Sequence, residues 1–250
     1  MRLDILITVI LIAMLLLILK RIRHKRLVVY HSKLLGKIEV VQNYNREKVL
    51  TINTFPQGVS IHHHSIRHSY WYMVAKEVIN HTKSLKSPKT LMFGLGANTI
   101  SSLINKLNPK IHQTIVELDP LIIKVCEEHF GLKEMKNITI INDDAYKLIE
   151  NYKLKIKNYD VVVVDIFTGN PPFIDIKSNQ PKFIDSVLRY LNKGGAVIFN
   201  RPAHTKEVRI DNEKFRLYLK TLFKKVEVFD IQDPRGFRNH VITGSKIKSV

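Results

Sequence analysis

Apolar and polar positions alternate along this chain in two periods, and their order predicts its architecture. Residues 5–19 are an apolar run interrupted only by Thr8, too long for a strand and without a polar face, so they predict a helix that is apolar all round. From residue 27 the runs shorten: 27–30, 36–41 and 48–52 read as strands, the last two separated by a turn-rich piece at 42–47, which is a hairpin pattern. Phe55-Pro56-Gln57-Gly58 closes this β-rich stretch. Helical spacing follows over 69–82 (Trp71, Val74, Ala75, Val78, Ile79), and strands and helices then alternate. Strands are predicted at 90–93, 114–116, 138–141, 161–164, 196–200, 226–230 and 240–243, with helices at 100–107, 121–130, 146–152, 182–191 and 212–223. Val161-Val162-Val163-Val164 is the kind of unbroken apolar strand that is covered on both faces, and Gly194-Gly195 reads as the turn before the next one. Alternation of this kind predicts an α/β fold with a doubly wound, mostly parallel sheet.

The most informative stretch is 90–120. A short strand enters Gly94-Leu95-Gly96-Ala97-Asn98-Thr99, a crossover helix follows, and the next strand ends in Glu117, about 20 residues past the turn, where nucleotide-binding folds hold a ribose. The last glycine of the dinucleotide fingerprint is missing, so an adenosine without a pyrophosphate fits better, and S-adenosylmethionine and its relatives are such ligands. The competing reading is an ordinary strand-helix-strand unit whose glycines only make the turn. Glu117, Asp144 and Asp165 each follow a predicted parallel strand, on the sheet edge where open α/β folds bind ligands. An acidic rim suits a sulfonium and an amine, both cationic. Taken singly, Asp144 would cap the helix after it and Asp165 a turn.

Composition changes the picture in three places. The chain has 250 residues, 45% of them hydrophobic, enough for one sizeable domain plus a small appendage. One cysteine excludes a disulfide framework and a cysteine zinc site, and Cys126 lies in a helical apolar pattern that suits a core. The net charge of +18 comes from lysines and arginines spread along the chain, with no aromatic-interleaved basic motif, so no specific nucleic-acid partner is expected. The apolar run 5–19 is followed at once by Lys20-Arg21-Ile22-Arg23-His24-Lys25-Arg26, the reverse of a cleaved leader. This order predicts a single-pass transmembrane anchor at 1–26, with the rest on the cytoplasmic side. A small antiparallel β domain at 27–58 and a Rossmann-like domain at 59–250 complete the expected organisation. His62-His63-His64 with His68 invites a metal reading, yet no nearby carboxylate completes a ligand set in the sequence. No metal is assigned, and a loop with substrate-facing side chains is expected there.

Several of these residues, taken together, resemble the spermidine synthases, the polyamine aminopropyltransferases and their spermidine-synthase-like relatives. The resemblance covers residues 37–200 and rests on Phe93-Gly94-Leu95-Gly96, Val116-Glu117-Leu118-Asp119-Pro120, Asp144-Ala145, Asp165 with Pro171 downstream, and Gly194-Gly195. The stretch ending at Gln57 and the helix around Tyr70-Trp71-Tyr72 match in order. It implies the class I adenosylmethionine-dependent transferase fold. It also implies that Gln57, Gly94, Gly96 and Glu117 hold the donor, that Asp144 and Ala145 flank its adenine, and that Asp165 is the catalytic carboxylate. Tyr70 or Tyr72, with Thr168 and Pro171, would line an amine site. The implied co-substrate is decarboxylated S-adenosylmethionine, or the ordinary form, with an amine such as putrescine as acceptor, and a homodimer is compatible with the resemblance. A methyltransferase on the same fold is the first alternative and a non-catalytic adenosyl-binding protein the second. Ala97-Asn98 stands where the family carries an acidic residue that would repel the carboxylate of ordinary S-adenosylmethionine, and Thr168 stands where it carries a second aspartate. The anchor is a further departure.

Overall fold

A computed structural model of the chain describes residues 3–22, 24–43, 45–150, 158–167, 175, 177–234 and 236–248, side chains at 3–4, 17–22 and 24 excepted. Helix α1 (Leu3–Ile22) leads into β1 (His24–Ser32), β2 (Gly36–Asn43), β3 (Lys48–Ile52) and β4 (Phe55–Val59), which form an antiparallel four-stranded sheet in that order. β1 begins at His24, ahead of the boundary at residue 27 drawn from the sequence, and Arg26 is a strand residue whose Nε lies 2.9 Å from Glu39 Oε1. β4 is a strand where the sequence suggested only a closing segment.

The predicted transmembrane anchor is not supported. Among the described residues no helix is long and apolar enough to cross a membrane.

After the small sheet come α2 (Tyr70–Thr82), β5 (Lys89–Phe93), α3 (Thr99–Leu107), β6 (His112–Glu117), α4 (Pro120–His129), β7 (Ile138–Asn142) and α5 (Ala145–Glu150). β8 (Tyr159–Val164), α6 (Pro181–Leu188), β9 (Leu191–Pro202), α7 (Lys206–Leu222), β10 (Phe223–Gln232) and β11 (Arg238–Ile247) follow. Seven strands make the second sheet in the order β10-β11-β9-β8-β5-β6-β7. β7 to β9 are parallel, and β11 runs antiparallel to both neighbours. The expected doubly wound, mostly parallel sheet is therefore present, with β5 and β8 at its centre.

Period-two alternation splits the core into two layers. Val161 and Val163 pack with Trp71, Val74, Ile100, Ile104 and Ile122, while Val162 and Val164 pack with Leu148, Phe183, Val187, Phe215 and Leu219. Helices α2, α3 and α4 thus cover one face and α5, α6 and α7 the other. Ile38, Val40, Leu50 and Ile52 of the small sheet belong to the first layer, so the two sheets share one apolar cluster. Gly194-Gly195 is not a free turn. Tyr159 pairs with Leu191 but Val161 with Ala196, so residues 192–195 bulge inside β9, and a Cβ on Gly195 would lie 2.9 Å from the Asp160 carbonyl oxygen.

Candidate active site

The strand ends bring the site together. β5 stops at Phe93 and the chain turns through Gly94, whose φ of +91° suits glycine and whose missing Cβ leaves room for the Asp165 carbonyl. Gly96 (φ +54°) lies equally close to β4, since a Cβ there would sit 2.9 Å from the Gln57 carbonyl oxygen. Thr99 locks the two parts by donating to Val59 O at 2.7 Å and accepting from Val59 N at 2.9 Å. The small sheet is thereby clamped onto the glycine loop and contributes Gln57 to the same rim.

A cavity of about 440 Å³ opens here, lined by Gln57, Tyr70, Gly94, Gly96, Glu117, Asp144, Ala145 and Asp165, among others. Eight residues singled out from widely spaced parts of the sequence therefore converge on one space. Glu117, at the end of β6, is buried and accepts from Leu95 N at 3.0 Å and Asp119 N at 2.8 Å. Burial raises its carboxyl above the usual value, the two backbone donors work against that shift, and nearby Asp119 adds to it. Asp144 does both things proposed for it: its Oδ1 caps α5 by accepting from Tyr146 N at 2.9 Å, and it lines the cavity.

Asp165 is half-buried at the mouth between β5 and β8. Its Oδ1 accepts from Asn200 Nδ2 at 2.7 Å, and Asn200 Oδ1 in turn accepts from Asn239 Nδ2 at 3.0 Å. Desolvation pushes the Asp165 carboxyl up to about 7, partly offset by the Asn200 bond. A carboxyl titrating near neutrality is matched to proton transfer at physiological pH. A second cavity of about 520 Å³ adjoins the first, and Gln57, Tyr70 and Phe167 line both. Its remaining wall is largely apolar, with Phe55, Trp71 and Phe237, and includes Asp233 and His204.

A family model described as the spermine/spermidine synthase domain matches residues 29–232. The chain belongs to the spermine/spermidine synthase family. It is 28% identical over 153 residues to the polyamine aminopropyltransferase of Vibrio vulnificus (strain CMCP6), a match covering 61% of this chain and 49% of that protein. The chain thus spans about half the length of that curated relative. Spermidine synthase from Thermotoga maritima superposes with a TM-score of 0.66 at 15% identity, over 89% of this chain and 73% of that one. Human methyltransferase-like protein 13 in complex with SAH superposes with a TM-score of 0.57 at 19% identity, over 72% and 81%. Both structures share the fold.

Within this family member the site departs from the sequence expectations at several points. Tyr70 lines both cavities, but Tyr72 lines neither and packs at the edge of the apolar cluster, because two residues along a helix turn the side chain about 200°. Thr168 and Pro171 lie outside the described residues. Ala97 and Asn98 do not line the first cavity. Asn98 takes a left-handed conformation (φ +57°), which turns its amide under α3, where Nδ2 donates to Phe130 O at 3.2 Å and Ser102 Oγ at 3.0 Å. The His62-His63-His64 loop with His68 lines neither cavity, so its side chains do not face the site as expected. Cys126 is buried, as its helical pattern suggested, with Sγ donating to Gly96 O at 3.1 Å, and burial pushes its thiol well above the usual value.

Tyr146, Asp175 and Lys177, which no motif in the sequence singles out, also line the first cavity. The Tyr146 hydroxyl donates to Asp175 Oδ2, which also accepts from Ser178 N at 3.1 Å, and Lys177 Nζ lies 5.5 Å from the centre of the Tyr146 ring. Asp175 follows the Asp165 strand by ten residues, so spacing alone did not connect them.

Proposed function

We propose that the chain transfers an aminopropyl group from decarboxylated S-adenosylmethionine to an amine such as putrescine. The observation that carries this reading is Asp165, a carboxyl titrating near neutrality in an adenosyl-sized cavity that shares Gln57, Tyr70 and Phe167 with an adjoining aromatic one. In this reading Glu117 accepts hydrogen bonds from the ribose hydroxyls, Ala145 and Asp144 bound the adenine, and Gly94 and Gly96 let the backbone come close. The amine enters through the aromatic cavity, whose ring faces suit a cation and an aliphatic stem. Its neutral nitrogen attacks the carbon bonded to sulfur, the carbon–sulfur bond breaks, and a neutral thioether leaves. Asp165 takes the proton released from the nitrogen, with Asn200 holding its carboxylate in place. General-base assistance of this kind contributes about 10²–10⁴-fold, and alignment of the two reactants supplies much of the rest.

A methyltransferase is the second reading, favoured by a specific feature of the cavity. Lys177 lines it beside Asp175, a cation and an anion positioned to take the carboxylate and ammonium of ordinary S-adenosylmethionine. Incubation with each donor and a panel of diamines, read by product mass, separates the two. We expect aminopropylated diamine from the decarboxylated donor. Methylated product alone would favour the second reading, and tight donor binding without product would favour a non-catalytic protein.

We propose in addition that α1 attaches the chain to a membrane, with the remainder on the cytoplasmic side. Its support is the exposure of every described large apolar side chain between Ile5 and Leu16 and the basic residues that follow in sequence.

A further inference from the structure

The histidine run that the two cavities leave unused is carried to a different place. Lys48 and Ser60 exchange two bonds, Ser60 N to Lys48 O at 2.9 Å and Lys48 N to Ser60 Oγ at 3.1 Å, so the chain leaving β4 passes beside the residue preceding β3. That residue is Glu47. A turn closed by His63 N to Ser60 O at 2.9 Å then lays His63 and His64 over its carboxylate. Glu47 Oε1 accepts from His64 N at 2.8 Å, and Oε2 lies 3.1 Å from His64 Nδ1. One ligating atom from each of Glu47, His63 and His64 falls within 4.8 Å of the other two. The carboxylate missing from the sequence around the histidines is thus supplied from 16 residues upstream of His63 by hairpin pairing.

We propose that Glu47, His63 and His64 form a binding site for a divalent cation of the zinc class. Two imidazoles and a carboxylate suit such a borderline cation and not magnesium, which prefers an all-oxygen octahedron. Ligands about 2.0–2.2 Å from a tetrahedral metal stand about 3.3–3.6 Å apart, so the cluster closes with side-chain adjustments of about an ångström. Supporting contacts are in place around the three ligands. Asn43 Nδ2 donates to Glu47 Oε2, and Ser65 holds His63 Nδ1 on two sides, its backbone N donating at 3.3 Å and its Oγ lying at 2.9 Å, which fixes the orientation of the ring. The His64 side chain is 71% exposed, which leaves a coordination position open to water. The flanking cations Arg46 and Lys48 and the net charge of +18 oppose diffuse attraction of a cation, so binding here must come from the ligands themselves. Lys48 Nζ is turned away, onto His129 O at 2.8 Å. An occupied site would staple the β2–β3 turn to the segment that enters α2, the helix carrying Tyr70.

The test uses the full chain, stripped with a chelator and titrated with Zn²⁺ against a chromophoric competitor, with Mg²⁺ as the comparison. One equivalent of Zn²⁺ should bind saturably, Mg²⁺ should not compete, and Zn²⁺ should raise Tm. Glu47→Gln and His64→Ala should each weaken Zn²⁺ binding at least about tenfold and remove the Tm shift, while His62→Ala and His68→Ala leave both unchanged. His64 is exposed, so its variant is expected to fold, and an unchanged circular dichroism spectrum checks this. Absence of saturable Zn²⁺ binding, or binding that survives His64→Ala, would overturn the proposal, the latter pointing to the other histidines among the chain's 11.

Discussion

At the scale of single residues, Asp165 ties function to stability. Its ordinary value is 3.8 and the fold raises it to about 7, so between these limits the native state holds a proton that the unfolded chain has released. Stability contributed by this group therefore falls as pH rises through that window, and the full cost stands above pH 7. Asp165→Asn keeps an oxygen for the Asn200 amide and removes the charge. It should raise the free energy of unfolding by about 1–2 kcal/mol at pH 8, discounting the shift for the residue's partial exposure, and by almost nothing at pH 4. Denaturant unfolding at the two pH values measures the difference; equal effects at both would show that the carboxyl is not perturbed. The same substitution should lower turnover at least about a hundredfold. The wild-type kcat/KM should rise with pH through about 7, since only the ionised carboxylate accepts the amine's proton, and that inflection should vanish in the variant. A proposed catalytic carboxyl that costs stability fits the trade-off between stability and activity expected of an active site.

At the scale of elements, the glycine loop and α3 show where local reasoning holds and where packing overrides it. The order strand, glycine turn, helix and strand was readable between residues 90 and 117, because the periods change sharply there. The direction of the Asn98 side chain was not, because it depends on a left-handed backbone and on Phe130, 32 residues away. Asn98→Asp should therefore leave donor preference unchanged. It should instead cost about 2–3 kcal/mol of stability, by replacing a donor to the Phe130 carbonyl with a buried carboxylate, and thermal unfolding with donor-competition binding reads both effects. A shifted donor preference in a stable variant would place Asn98 on the cavity after all. β4 was read as a closing segment because Pro56 and Gly58 resemble turn residues. As the edge strand of its sheet it pairs only with β3, and an edge tolerates a proline that a central strand would not. Gly194-Gly195 misled in the same way, since a bulge inside a strand and a turn before one need the same residue type.

For the molecule as a whole, the features hidden from sequence are those that need chain segments to meet: Asp175 beside Tyr146, Glu47 beneath His63, and the three residues shared by two cavities. The strand-end carboxylates were visible because an open α/β sheet collects its ligands on one edge, whatever the loops do. The apolar helix is a question of the same scale, since nothing in the two sheets accounts for it. Large apolar side chains along α1 are 40–61% exposed, including Leu6, Leu11 and Leu16, whereas the apolar side chains of the rest of the chain are mostly packed into two layers. An all-round apolar surface of that extent is costly in water and favourable in lipid. Because β1 begins at His24 and Arg26 pairs with Glu39, a cut after residue 26 would remove part of the small sheet; the informative truncation ends ahead of His24. In a membrane preparation the full chain should resist alkaline carbonate, while the chain beginning at His24 should be recovered in the soluble fraction with an unchanged unfolding midpoint. Complete extraction of the full chain would remove the membrane from the proposal and leave α1 to be covered by protein.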